Sequence, residues 1–264
     1  MGCLGLDLAE VIGRIRFVRD VEVNARVGGA VFNWNRDGKW DVFLYWLKDG
    51  VIEKVTSGPD SYLSPTFSPR GDLIAYLRDR EGDENFQVIV RELSSGREED
   101  ITRDPSHYHF DPVFSPSGRL IAFTSNRSGK PSQLHVYEDG VIRAVTSWDE
   151  PVFDYDWVSD EEIVYVRGIY DTEVRIVNIH SLEDRPLLHF PGAETFLGGV
   201  DVEKRRFLFY SNAGEWFDIG EYDLGRGEWR WVYRSSGEKM DPEYYGDSVL
   251  FIEYSGGRNY LKKL

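Results

Sequence analysis

Ser64-Pro65-Thr66-Phe67-Ser68-Pro69-Arg70-Gly71-Asp72-Leu73-Ile74-Ala75-Tyr76 decides the fold, because the chain writes this stretch twice. The second copy reads Asp111-Pro112-Val113-Phe114-Ser115-Pro116-Ser117-Gly118-Arg119-Leu120-Ile121-Ala122-Phe123. Phe67 to Phe114 is a step of 47, and Gly71 to Gly118 is the same step. Each copy continues through a charged turn into an alternating segment (Phe86–Glu92; Gln133–Glu138) and closes on a segment ending in Thr102 or Thr146. Ser-Pro followed by Gly makes a tight turn, Pro presetting φ and Gly taking the conformation other residues resist. Leu-Ile-Ala-Tyr and Leu-Ile-Ala-Phe are short apolar runs that suit a strand covered on both faces. One copy is therefore a four-stranded antiparallel meander, too small to bury its own faces and stable only when stacked on its neighbours.

Working outward, the period continues in weaker form. Thr56 precedes Thr102 by 46, and Trp157 follows Phe114 by 43, with Ser159-Asp160 in place of Ser-Pro. The sequence predicts an all-β, six-bladed β-propeller of four-stranded antiparallel blades, one domain over 1–264. The blades fall at about 16–57, 62–103, 108–147, 151–190, 195–234, and 240–264 joined by part of 4–20. The last needs that help because only three strands are legible in it, so the terminal segments are expected to close the ring and remove an exposed edge. Asp7 and Glu10 leave residues 4–13 open between a short helix and an edge strand. Arg14–Arg19 alternates and reads as a strand with a basic face.

The phrase Pro-x-Phe-Ser-Pro-x-Gly-x-Leu-Ile-Ala-Tyr/Phe, followed by a basic-glycine turn, resembles the blade repeat of TolB-like propellers. It is similar too to the N-terminal propeller of the prolyl oligopeptidase family, including acylaminoacyl peptidases. Two blades match closely and the rest in outline. In that family the propeller screens substrates by size, so the resemblance implies a peptide-gating role alongside a hydrolase domain. A stand-alone TolB-like protein-interaction scaffold is the second implication, and a propeller enzyme with its site at the channel mouth a third.

The chemistry expected of a peptidase is missing from the sequence. No serine sits in the G-x-S-x-G elbow that an α/β-hydrolase requires; Ser248 has Gly246 before it but Leu250 after it. The resemblance thus transfers no catalytic residue to this chain, and no cofactor motif is legible. His107, His109 and Asp111 follow i, i+2, i+4 spacing, which would put two imidazoles and a carboxylate on one strand face beside a channel. They are the metal or channel candidates. Trp216 and Phe217, in the turn Asn212–Phe217, are candidates for an exposed interface. His135, His180 and His189 read as ordinary packing residues, and most of the tryptophans as wedges between blades.

Forty-six Asp and Glu against 31 Lys and Arg give a net charge of −15. That excludes phosphate-backbone binding as the main activity and disfavours an anionic membrane surface, while admitting a cationic peptide or protein partner. Cys3 is the lone cysteine, so no internal disulfide forms, which fits a cytoplasmic setting. Met1-Gly2-Cys3 carries Leu6 where a myristoylation site needs Ser or Thr. Few Cys and Met beside 29% charged residues suit a thermophile.

Overall fold

The computed structural model describes residues 17–264, and every regular element in them is a β-strand. Blade one is β1 (Val18–Asn24), β2 (Gly29–Trp34), β3 (Asp41–Trp46) and β4 (Ile52–Lys54). Blade two is β5 (Ser61–Phe67), β6 (Leu73–Asp79), β7 (Gln87–Glu92) and β8 (Glu98–Asp100). Blade three is β9 (His109–Phe114), β10 (Ile121–Ser125), β11 (Gln133–Glu138) and β12 (Val141–Ala144). Blade four is β13 (Val152–Trp157), β14 (Glu162–Arg167), β15 (Glu173–Asn178) and β16 (Asp184–His189). Blade five is β17 (Thr195–Asp201), β18 (Arg206–Ser211), β19 (Asp218–Asp223) and β20 (Glu228–Tyr233). Blade six has three strands among the described residues: β21 (Glu238–Tyr245), β22 (Ser248–Ser255) and β23 (Arg258–Lys263). Six antiparallel meanders of this kind are the blades of a β-propeller.

The chain divides into two compact units, Met1–Phe114 and Ser115–Leu264. In the first, Val31, Val42, Leu44, Tyr62, Phe67, Ile74, Tyr76 and Ile89 form one core. In the second, the larger core gathers Val164, Val166, Val174, Ile176, Phe207 and Phe209, and a smaller one joins Leu208 and Ile219 to Val249 and Phe251.

The repeat's residues do the work their chemistry suggests. Gly71 N–H donates to Ser68 O at 2.8 Å, and Gly118 N–H to Ser115 O at 2.8 Å. Gly71 has φ +70°, and a Cβ there would lie 2.1 Å from Val27 Cγ1, so both the turn and its packing demand glycine. The apolar runs are the second strands, β6 and β10, buried over Ile74–Leu77 and Ile121–Ser125. The closing threonines are latches. Thr102 Oγ1 donates to Gln87 Oε1 (3.0 Å) and accepts from Val88 N–H (3.1 Å). Thr146 does the same with Gln133 (3.0 Å) and Leu134 (2.9 Å), and Thr56 with Asp41 (3.0 Å) and Val42 (3.0 Å). Alternation alone sends Gln87 outward, yet Gln87 and Gln133 are buried, because the latch satisfies their amide oxygens while their nitrogens donate to Asp104 O (2.9 Å) and Glu150 O (3.0 Å). Blade five substitutes charge: the fully buried Lys239 ammonium donates to Asp218 Oδ1 at 2.9 Å, and Arg234 Nε donates to Asp218 Oδ2 at 2.9 Å.

Several expectations change. Val18–Asp20 belong to β1 of blade one, paired with β2, and so do not complete blade six; the rest of that expectation, over residues 4–16, lies outside the described residues. The strand read over Arg14–Arg19 runs instead through Val18–Asn24 within the described residues. Trp157 alone among the tryptophans is fully buried; Trp229 is exposed and stacks edge-on against Phe190. His135 packs as read, stacked on Phe123 at 6.0 Å, whereas His180 and His189 are exposed, His189 Nε2 lying 2.9 Å from Asp171.

Candidate functional site

The first strand of a blade carries a break in its pairing register, at Arg19/Glu22, Leu63/Thr66, Phe153/Tyr155, Leu197/Val200 and Met240/Glu243. These are β-bulges, which leave one residue unpaired and re-aim its side chain. Asp20, Ser64, Asp154 and Asp241 sit at four of these places, and they share with Asp111 of β9 a φ between 46° and 51°. That left-handed region is disfavoured for residues with a Cβ, and Asp tolerates it best among charged residues. The step between them runs 44 (20 to 64), 47 (64 to 111) and 43 (111 to 154), and Asp241 follows Asp154 by two blades. In blade five the place falls to Gly198-Gly199. Four of these five left-handed residues are aspartates, each on the first strand of its blade.

In the first unit these are Asp20, Glu22 and Asp111, with Ser64 and Thr66 between them. Ser64 Oγ donates to Asp111 Oδ1 at 3.3 Å, and Phe67 N–H donates to Glu22 Oε1 at 3.1 Å. Crowding by protein raises the Glu22 carboxyl above its ordinary range, against hydrogen bonds from Thr66 and Phe67 that lower it. Asp111 is raised by the same crowding, opposed by Ser64 and reinforced by the charge of Asp20.

In the second unit, Asp154 and Asp156 of β13, Asp241 and Glu243 of β21, and Tyr210 of β18 come together. Asp154 Oδ2 accepts from Leu197 N–H at 2.6 Å. Glu243 keeps one side in water, yet surrounding protein and the charges of Asp156, Asp241 and Asp154 push its carboxyl up to about 7. Tyr210 is raised too, by burial first and then by Asp241 and Asp154. Gly198 and Gly199 make the room: a Cβ on Gly198 would lie 2.4 Å from Pro242 O, and one on Gly199 would lie 2.3 Å from Glu243 Oε2. A carboxyl that titrates near neutrality beside three other acids is a receptor for positive charge, because an arriving amine or guanidinium relieves the repulsion.

The residues singled out in the sequence do not assemble as expected. His107 precedes β9 in a turn, its Nδ1 2.9 Å from Asp104 Oδ1. His109 is buried in β9, its N–H donating to Phe86 O at 3.0 Å, and Asp111, with φ 51°, accepts from Ser64 Oγ at 3.3 Å. The left-handed backbone at Asp111 breaks the alternation on which the shared face depended. Among the described residues no group of three or more His, Cys, Asp or Glu is spaced to hold a metal ion. Phe217 packs inward against Phe196 (5.9 Å) and Tyr210 (5.8 Å), and its N–H donates to Glu238 at 2.8 Å; Trp216 beside it is half-buried. A cleft of about 320 Å³ on blade five, lined by Glu221, Asp223, Arg226, Glu228, Trp229 and Arg230, is occupied by internal pairs such as Arg230–Glu221 at 3.0 Å.

No protein-family model and no curated protein matches the sequence. Solved structures match the fold. A prolyl endopeptidase, described in a study of inter-domain dynamics in catalysis and specificity, aligns with a TM-score of 0.72 and 13% identity over 94% of this chain and 41% of its own. The acylaminoacyl peptidase of Pyrococcus horikoshii aligns with a TM-score of 0.71 and 14% identity over 96% of this chain and 45% of its own. TolB from Acinetobacter baumannii aligns with a TM-score of 0.59 and 14% identity over 88% of this chain and 62% of its own. This chain therefore spans about two fifths of the prolyl endopeptidase, and shares with all three the propeller fold.

Proposed function

We propose that this propeller is a non-catalytic platform that receives a peptide or protein segment, with the carboxylates of Asp154, Asp156, Asp241 and Glu243 taking its positive charge. The observation that carries the reading is the convergence of four acids around the bulges of β13 and β21, one of them raised to about 7 by burial first and then by the charges of the other three. Evenly dispersed surface acids would not need glycines cut away beneath them, as Gly198 and Gly199 are. The propeller fold shared with peptidases and with TolB supports either of two settings. One is gating beside a hydrolase domain; the other is a stand-alone scaffold. Fold likeness alone does not choose between them.

The test is calorimetric titration with an unstructured arginine-rich peptide and, as control, its glutamate-rich counterpart. Binding of the first only, weakened at least tenfold by Asp154→Asn with Asp156→Asn and Asp241→Asn, is the expected result. Equal affinity for both peptides, or an unaffected triple variant, overturns the reading. So does turnover of a peptide ester by the purified chain.

A further inference from the structure

We propose that the edge of β23, unpaired among the described residues, is a docking strip for an extended, acidic strand of a partner protein, a surface separate from the carboxylate cluster above. Blades one to five each end in a fourth strand paired antiparallel to the third. Among the described residues blade six stops at its third strand, which pairs with β22 from Leu250↔Lys263 to Ser255↔Arg258. Leu264 and Val249 exchange both backbone bonds, at 2.9 and 3.3 Å. In an antiparallel ladder such exchanging pairs alternate, so Lys262, Tyr260 and Arg258 also bond toward β22. The N–H groups of Asn259, Leu261 and Lys263 then point the other way, along the open edge.

The side chains say what fits. All six residues of β23 are exposed, Leu261 at 76%, whereas the third strand of blade two buries Gln87, Val88 and Ile89. Exposed Tyr260 and Leu261 offer apolar contact, which edge lysines present merely to repel other strands would not need. Arg258, Lys262 and Lys263 make β23 wholly basic in a chain with 46 acidic and 31 basic residues. A second copy pairing edge to edge would set these charges against themselves, and like charges across strands destabilise. Blade two shows the complementary case: its fourth strand is Glu98-Glu99-Asp100, and Glu98 takes Arg91 of the third strand at 2.6 Å. Strand addition of this kind draws affinity from main-chain bonds and selectivity from alternate side chains.

The experiment uses the full chain and a capped eight-residue peptide of alternating valine and glutamate, with a valine–lysine peptide as control. Affinity is read by calorimetry and amide exchange by NMR. Binding of the acidic peptide at least tenfold tighter than the control is expected, with slowed exchange at Asn259, Leu261 and Lys263 and not at Ile52–Lys54. Arg258→Glu with Lys263→Glu, both at exposed positions, should reverse the preference between the peptides. Equal binding of the two peptides overturns the proposal, as does protection confined to other strands. Amides at the three positions already as slow as those of β22 in the free protein would mean that another part of the chain holds the edge. Slowing with protein concentration alone would mean that a second copy does.

Discussion

Two regions place carboxylates at the same kind of bulge and neutralise them differently. In the first unit, Glu22 accepts from the Phe67 amide and the Thr66 hydroxyl, and Asp111 accepts from Ser64. In the second, Glu243 sits over a pair of glycines with Asp154, Asp156 and Asp241 around it, and a carboxyl raised to about 7 carries its proton about half the time at neutral pH. Both solutions reduce the cost of crowding like charges. The carboxyls of both are raised and so respond to pH; in the second the proton can also be exchanged near neutrality for another positive group, while the Phe67 amide of the first cannot.

The largest expected effect attacks the space beneath the second cluster. Gly198→Ala would put a methyl 2.4 Å from Pro242 O and 3.1 Å from Leu208 Cβ, neither able to swing aside. A loss of about 3 kcal/mol in unfolding free energy is expected from such overpacking, read by urea denaturation. Gly199→Ala should cost less, since its nearest neighbour is the movable end of Glu243, although Tyr244 N at 3.2 Å is fixed. Adding Glu243→Ala to Gly199→Ala should restore part of the loss, a coupling expected only of residues in contact. Full stability of Gly198→Ala would break the comparison, for the strands could not then lie so close.

How much of this could be read from the sequence depends on the length of the signal. Turns and latches recur as whole phrases, so Ser68–Gly71, Ser115–Gly118 and the closing threonines give away the blades before any coordinates. The left-handed positions are written one residue at a time: Asp20, Ser64, Asp111, Asp154 and Asp241 share one backbone conformation with three kinds of follower, Val after the first, Tyr after Asp154 and Pro after the other three. Asp111-Pro112 and Asp241-Pro242 were the available hint, two blades sharing a dipeptide that alternation treats as ordinary strand. A bulge is invisible to a period-2 reading, and so are the late start of β9 at His109 and the left-handed φ of Asp111 that separate His107, His109 and Asp111. Gly198-Gly199 carries no signal of its own, because its purpose lies in Pro242 and Glu243 more than forty residues on.

The middle-sized effect reads the proton directly. With its folded-state value raised to about 7, Glu243 stays protonated in the fold while the unfolded chain has already ionised, so stability falls as pH rises from the ordinary carboxyl range through 7. A shift of that size would carry about 3 kcal/mol in a dry site. Water along one side of Glu243 screens it, and about 1 kcal/mol is expected. Glu243→Gln should therefore be more stable than the parent by that amount at pH 8 and indistinguishable from it at pH 4, in paired denaturation series. A gain of equal size at both pH values would mean that packing, and not charge, explains the substitution.

The smallest effect tests the other half of the comparison. Thr66→Val removes one hydrogen bond to Glu22 and leaves the Phe67 amide in place at 3.1 Å. The Glu22 carboxyl, already raised by crowding, should rise further, visible in an NMR titration of its side chain. The ionised form loses most by the change, so the cost should be about 0.5 kcal/mol at pH 7. It should shrink as pH falls below the usual carboxylate range, where both folded and unfolded chains carry the proton. The trend with pH is thus the same in sign as that of Glu243 but arises by deleting a donor, so it converts a hydrogen-bonded carboxylate into a proton-held one. A cost independent of pH would show that Thr66 serves the bulge through its shape, and that the two clusters differ in packing and not in how they balance charge.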